Sequence, residues 1–197
     1  MLANNWRHWR RRPWLVLLGM TALIEGGCAR PNLPVAMPSR PLLVSDGREF
    51  RDDDEHFRFM PPENWSMQLR SVADPENEKA DRPLVKYKNL VTDTITSWMT
   101  VKVVKEPVDV PLEKCLAKRS PGADWRQVGK VEELDLHGRP AARIAWKGKF
   151  DGHDFIRETV AARRGERLYL VSGVYYATDN ASRDLIRKAV STCQWDD

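Results

Sequence analysis

The chain has 197 residues, of which 42% are hydrophobic and 30% are charged. This length accommodates one or at most two domains, and eight tryptophans among abundant aliphatic residues can fill a core, which excludes a chain disordered throughout. The formal charge is +4, but residues 1–27 alone carry +3, from four arginines and one glutamate. The remaining chain is nearly neutral, which argues against a nucleic-acid partner.

Residues 1–27 have the order of a secretory signal peptide. Four arginines lie between Arg7 and Arg12, an uncharged run extends from Pro13 to Ile24, and Gly26 and Gly27 follow. A spanning helix needs roughly twenty apolar residues, so this run is too short to cross a membrane comfortably. The pattern predicts export from the cytoplasm.

The segment from Ile24 to Cys28 resembles the bacterial lipobox, although Glu25 stands where an aliphatic residue is usual. The resemblance implies that Cys28 becomes the mature N-terminus and carries palmitate-like acyl chains, and two or more such chains anchor a protein stably. The membrane would then be a partner through the lipid on Cys28, with the protein in the cell envelope facing the periplasm or the exterior. Cleavage without lipid, an uncleaved signal anchor and a cytosolic helix remain open.

Residues 28–49 are predicted to form the lipidated N-terminus and a proline-rich tether. Pro31, Pro34, Pro38 and Pro41 are too closely spaced for the interior of a helix or sheet. The alternative is the frayed start of the domain. Residues 50–197 are predicted to form one α+β domain.

Strand patterns dominate this domain. Alternating apolar and polar residues predict strands over 57–59, 84–88 and 98–105, and Asn64 is expected in a left-handed conformation before Trp65. Two hairpins follow, one joining 131–136 to 139–150 through His137 and Gly138, the other joining 155–163 to 167–176. The last of these strands is the most apolar and is expected to lie centrally.

Two helices interrupt and close the series of strands. The spacing of Leu112, Cys115 and Leu116 predicts a short amphipathic helix between Pro111 and Arg119. A final helix, capped by Thr178 or Asp179, is predicted from a stripe at 3.6-residue spacing. The stripe comprises Leu185, Ile186, Ala189, Val190 and Cys193. Hairpin-joined strands with two helices predict an antiparallel β-sheet flanked by helices.

The order of motifs over about residues 50 to 195 resembles the Mog1/PsbP-like fold. The motifs are a Phe-x-Phe-x-x-Pro-x-x-Trp run, a valine-rich strand, a Gly-Arg-Pro-Ala hairpin and an apolar Tyr-x-Val strand (Phe57 to Trp65, Met99 to Val104, Leu134 to Ala141, Tyr169 to Val171). The resemblance implies an α/β/α sandwich. It also implies a binding or assembly role without catalysis, because the superfamily contains a photosystem II subunit, a Ran-binding protein and bacterial envelope lipoproteins.

No catalytic, cofactor or metal site is predicted. His8, His56, His137 and His153 lack the spacing of metal ligands, and His137 has no identifiable nucleophile beside it. The acidic run 52–55 lacks the glycine and final glutamate of a calcium loop, so a solvated stretch is the favoured interpretation. Phosphate-loop and dinucleotide-binding motifs do not occur.

Cys115 and Cys193 are the two cysteines that remain once Cys28 is assigned to lipid. In an oxidising periplasm they could form a disulfide. The alternative is two buried free thiols, because both lie on apolar helix stripes that could cover opposite faces of the sheet.

Arg163, Arg164 and Arg167 form a basic cluster at a hairpin tip that could contact an acidic partner or lipid headgroups, although solvation is commoner. The leading hypothesis is a non-enzymatic envelope lipoprotein that presents a sheet or hairpin surface to another protein, in complex assembly. The second is a periplasmic small-molecule or ion-binding protein with a pocket between the sheet and a helix. A hydrolase without a readable motif is the third.

Overall fold

The computed structural model describes residues 43–44, 47–69, 83–91 and 94–196. Predictions for residues 1–42, including the signal peptide and the lipid on Cys28, lie outside the described residues. No helix within the described ranges is long and apolar enough to cross a membrane.

The described ranges form short and long strands with two helices among them. In chain order these are β1 (Leu43–Val44), β2 (Phe50–Asp52), β3 (Phe57–Phe59), β4 (Ser66–Leu69), β5 (Pro83–Val91), β6 (Thr94–Lys105), α1 (Leu112–Ala117), β7 (Trp125–Leu136), β8 (Arg139–Phe150), β9 (His153–Arg164), β10 (Arg167–Tyr176), α2 (Asn180–Ser191) and β11 (Gln194–Trp195).

Eight strands pair into one antiparallel sheet in the order β1-β4-β5-β6-β10-β9-β8-β7. The predicted central strand, β10, lies between β6 and β9, as its apolar sequence indicated. A second antiparallel sheet has the order β11-β3-β2. The predicted α+β class, an antiparallel sheet flanked by helices, is confirmed.

The hairpin turns follow local chemistry. His137 and Gly138 both have positive φ, 54° and 81°, as two-residue hairpin turns require, and the Asp135 carboxylate accepts a 2.7 Å hydrogen bond from the Gly138 amide. Asn64 takes the expected left-handed conformation with φ of 62°. These short-range predictions hold because a few adjacent residues determine each turn.

Alternation along each strand divides the core between two faces of the large sheet. The α2 face carries Tyr169 and Val171, and α2 and the small sheet pack on it. The α1 face carries Leu168 and Leu170, and α1 packs over part of it. With one helix on each face, the domain has the α/β/α layering that the resemblance implied.

Three details correct the sequence-based expectations. Leu43 pairs with Met67 in the sheet, so the sheet begins inside the range 28–49 predicted to be tether. Leu185 is 39% exposed, so the apolar stripe of α2 is narrower than predicted. The strand 57–59 was predicted, but its partners β2 and β11 were not, because strands of two or three residues barely show a period of two.

Candidate binding cleft

The last helix is held tightly against the sheet. The Asp179 side chain accepts a 2.9 Å hydrogen bond from the Ser182 amide, which confirms Asp179 as the N-cap. Gly173 on β10 permits the close approach, because a Cβ there would lie 2.5 Å from Cγ2 of Ile186. Buried hydroxyls also join the layers, with Ser97 Oγ 2.9 Å from Ser182 Oγ.

Between this helix and strands β7 to β10 lies a cleft of about 170 Å³, which we name the α2 cleft. Its floor and helix wall are mainly apolar. The apolar side chains that line it are Leu134, Leu136, Val160, Val171, Ile186 and Val190. Ser191 lies at the cleft and is exposed, so the cleft can be reached from solvent.

Two arginine–glutamate pairs flank the apolar wall. Arg187 on α2 binds Glu158 on β9 through two hydrogen bonds, Nε to Oε2 at 3.0 Å and Nη2 to Oε1 at 2.5 Å. Arg143 on β8 binds Glu132 on β7 with Nε 3.1 Å from Oε2 and a second contact from Nη2. Each guanidinium is held by two nitrogen atoms, and only the Arg187 pair engages both carboxylate oxygens of its partner.

Glu158 is charged although it is only 7% exposed. Burial by itself would raise its pKa, but the hydrogen bonds and charge of Arg187 outweigh burial and leave the pKa below its usual value. The same pair raises the pKa of Arg187. Burial raises the pKa of the neighbouring Tyr175 phenol well above its usual value, and the negative charge of Glu158 adds to that effect. The Glu158–Arg187 pair is therefore charged on both sides at neutral pH.

A wider opening of about 320 Å³ adjoins the cleft and shares Arg143, Glu158 and Arg187 with it. Its outer lining is polar and includes Lys130 and Arg183. An apolar pocket with a polar, charged border is the usual form of a site that takes one apolar group of a ligand.

The predicted basic cluster is not one surface. Arg163 lies on the α1 face, where Nη1 donates to the Val108 carbonyl at 2.6 Å and Nη2 contacts Cys115 Sγ at 3.2 Å. Arg164 and Arg167 reach Glu55 instead, at its carbonyl (3.3 Å) and its carboxylate (2.9 Å). Each of the three arginines is engaged inside the domain.

Cys115 and Cys193 are free and buried. Cys115 belongs to the core under α1, and Cys193 belongs to the core under α2, on the other side of the sheet. The suggested disulfide is therefore absent from the structure, which has instead the alternative of two free thiols. Burial raises the pKa of Cys193 to about 12.

The remaining polar candidates also have structural partners. Asp52 accepts the Glu55 amide at 2.9 Å, and Asp53 pairs with Arg51, so the acidic run is tied into a turn. His137 Nε2 lies 2.9 Å from the Ser191 carbonyl oxygen. Among the described residues, no three His, Cys, Asp or Glu side chains cluster closely enough to hold a metal ion.

Sequence reasoning missed the α2 cleft and its charged pairs, because their residues come from five elements, the strands β7 to β10 and the helix α2. One feature of the sequence did indicate a charged pair at this place. Glu158 stands between Ile156 and Val160 at α2-face positions of β9, where alternation assigns a buried side chain. A carboxylate in the buried register of a strand indicates a specific partner.

No family model and no curated protein matches the chain. Its fold is similar to that of solved structures. The PsbP protein (CyanoP) from Synechocystis sp. PCC 6803 matches with a TM-score of 0.51 at 14% identity, covering 76% of this chain and 92% of that protein. A protein from Bacteroides thetaiotaomicron VPI-5482 matches with a TM-score of 0.52 at 10% identity, covering 78% of this chain.

This chain spans half the length of the Bacteroides protein. LpqN, a Mycobacterium tuberculosis protein involved in cell envelope biogenesis, is more distant, with a TM-score of 0.44 at 14% identity, covering 72% of this chain and 92% of LpqN. The comparisons place the domain in the α+β class. Within that class its fold is PsbP-like, as the motif order indicated.

Proposed function

We propose that this chain is a non-enzymatic binding module, held at a bacterial envelope membrane by lipid on Cys28, that recognises a protein partner through the α2 cleft. The cleft is the observation that carries the proposal. The lipobox resemblance supports the anchor, and the engaged histidine and acidic side chains give no support to a hydrolase.

The size of the cleft favours one side chain of a partner. An apolar cavity of about 150 Å³ holds a molecule the size of benzene, and the α2 cleft has about 170 Å³. A Phe or Leu side chain therefore fits. Interfaces commonly seat such an anchor in an apolar pocket and surround it with polar groups, which is the arrangement that Glu158 and Arg187 provide here.

A photo-crosslinking experiment in cells tests the cleft. The photoreactive p-benzoylphenylalanine is placed at Ser191, at the cleft, or at the exposed Glu113 on α1 as a control. We expect a discrete protein adduct from position 191. The adduct should be lost when Val190→Phe fills the cleft and kept with Leu185→Phe, which lies on the same helix outside the lining. An adduct that survives Val190→Phe would reject the cleft as the site.

A small apolar molecule in the same cleft is the second candidate, favoured by the defined volume between helix and sheet. Indole serves as the probe in thermal unfolding. A rise in the midpoint that Val190→Phe abolishes, with no protein adduct in cells, would favour this candidate.

Metabolic labelling with an alkyne analogue of palmitate tests the anchor. We expect strong labelling of the parent chain and none of Cys28→Ala, with Cys115→Ala as the matched cysteine control. Equal labelling of parent and Cys28→Ala would reject lipidation at this position.

A further inference from the structure

The α1 face has an open half that α1 does not cover. Here Trp98, Phe150, Phe155 and Tyr176 line a groove of about 450 Å³ at one end of the central strands. Phe155 and Tyr176 pack at 4.5 Å between ring centroids, and Phe150 is 70% exposed. We call these four residues the aromatic groove.

The five strands around the open half, β5, β6, β8, β9 and β10, contain only two acidic residues. β5, β6, β8 and β10 contain no Asp or Glu, and the two acids of β9, Asp154 and Glu158, point to the α2 face, where they pair with Lys147 and Arg187. The α1 face of the same strands carries Lys86, Lys88 and Arg157. The open half therefore has a positive potential and no carboxylate on its strands to balance it.

Arg157 stands in the middle of this face without a partner. It lies opposite Val174 on β10 and Trp146 on β8, two residues along β9 from Phe155. No described acidic side chain forms an ion pair with it, and its Nε is buried with no hydrogen-bond acceptor. Burial also lowers the pKa of Arg157, and no carboxylate opposes that effect. A buried guanidinium N–H without an acceptor is uncommon, and a bound carboxylate would supply one to the half-buried Arg157.

Lys86 adds a second cation at the groove, with Nζ 5.7 Å from the centroid of the Trp98 ring. This cation–π contact holds the ammonium beside an apolar wall. A ligand that fits has carboxylates spaced along an extended chain, with an apolar side chain between them.

We propose that the open half of the α1 face binds an acidic, extended segment of a partner protein, with one carboxylate on Arg157 and an apolar side chain in the aromatic groove. An extended segment can place its carboxylates near Arg157 and away from Asp151, which is exposed in the turn after Phe150, whereas a continuous layer of anionic headgroups would also lie against Asp151 and be repelled by it. The site goes beyond the proposed function, since it lies on the opposite side of the sheet from the α2 cleft.

The test uses the full chain carrying Cys28→Ala, so that no acyl anchor contributes. The probes are a fluorescein-labelled nonapeptide of alternating Glu and Leu, and its counterpart with Gln at every Glu. We expect fluorescence anisotropy to show binding of the acidic peptide and at least tenfold weaker binding of the Gln peptide. Arg157→Gln should weaken the acidic peptide at least fivefold, whereas Arg126→Gln, an exposed arginine on β7, should have little effect.

Phe150→Ser and Lys86→Gln test the site even if the Arg157→Gln variant does not fold. Each should weaken binding about threefold or more with an unchanged melting temperature. Equal binding of the two peptides, or unchanged binding in folded Arg157→Gln, would overturn the proposal. Arg157-dependent flotation with phosphatidylglycerol vesicles, without peptide binding, would assign the face to a membrane and also overturn it. Val190→Phe should leave peptide binding intact, which separates this site from the α2 cleft.

Discussion

The two faces of the large sheet are built differently. On the α2 face, aromatic rings from three elements pack together, with Phe57 5.4 Å from Tyr169 and 5.3 Å from Trp195, and buried charges are paired. On the α1 face, a six-residue helix covers one half, and the other half leaves Arg157 unpaired beside the aromatic groove. The buried charged pair on the first face is satisfied within the fold, whereas the second face retains a guanidinium that an external ligand can satisfy.

The difference indicates that the α2 face mainly stabilises the domain and that the open half of the α1 face is suited to binding. A charge that is paired within the fold, such as Glu158, contributes to the domain itself. A charge that burial desolvates without a partner, such as Arg157, reduces stability and is tolerated where another molecule binds. Four measurements test this difference between the two faces.

The largest effect is expected for thiol protection, which tests whether the sheet separates the two cysteines. In the Cys28→Ala chain, Cys115 and Cys193 are both 0% exposed, so maleimide labelling at pH 8 requires opening of the fold. We expect labelling of both to be slower than in urea by roughly a thousandfold or more, in line with ordinary opening free energies. In urea without reductant, mass spectrometry should count two labelled thiols. Labels that appear only after reduction would instead show a disulfide.

Core truncation should distinguish the faces next. Phe57→Ala removes a ring that contacts both sheets, and we expect a loss of about 3–5 kcal/mol in urea unfolding. Leu116→Ala under α1 should cost less, about 2–3 kcal/mol, because a six-residue helix can settle into the space. Equal losses of unfolding free energy would mean that the two faces contribute equally to stability.

The Glu158–Arg187 pair should contribute stability that depends on pH. Glu158→Gln should cost about 1–3 kcal/mol at pH 7, since it weakens a charged hydrogen-bond pair whose arginine is partly hydrated. The pKa of Glu158 is lowered by folding, so its contribution is full above the unfolded value of about 4.3 and is lost as pH falls through the folded pKa. The stability gap between parent and Glu158→Gln should therefore narrow below pH 4.3. A gap that stays constant to pH 2 would contradict the assignment.

Sequence patterns predicted the elements whose conformation depends on residues close together in the chain. The hairpin through His137 and Gly138, the strand β10 and the cap at Asp179 each depend on residues close together, and all three are present. The strand β7 begins at Trp125, six residues before the predicted start at 131. The pattern missed this first part because a register shift between Val128 and Glu132 breaks the alternation of apolar and polar residues.

The candidate sites were beyond such reasoning. The α2 cleft combines Leu134, Glu158 and Ile186, whose approach depends on the tertiary packing that Gly173 permits. The open α1 face was partly readable, because β5, β6, β8 and β10 lack acids in the sequence itself. The sequence could not show that Arg157 lacks an ion-pair partner, because a partner can come from any element that packs near it in the folded chain.

The smallest effect on stability is expected at Asp179. It tests whether α2 is held in place by packing as well as by its N-cap. Asp179→Ala leaves the Ser182 amide without its 2.9 Å acceptor, which should cost about 1 kcal/mol in urea unfolding. Asp179→Ser retains an acceptor and should stay within a few tenths of a kcal/mol of the parent. Because Ile186 and Val190 still hold the helix on the sheet, the Ala variant should keep the α2 cleft and its Ser191 adduct. An adduct lost in Asp179→Ala but kept in Asp179→Ser would show that the cap, rather than the apolar packing, positions the cleft wall.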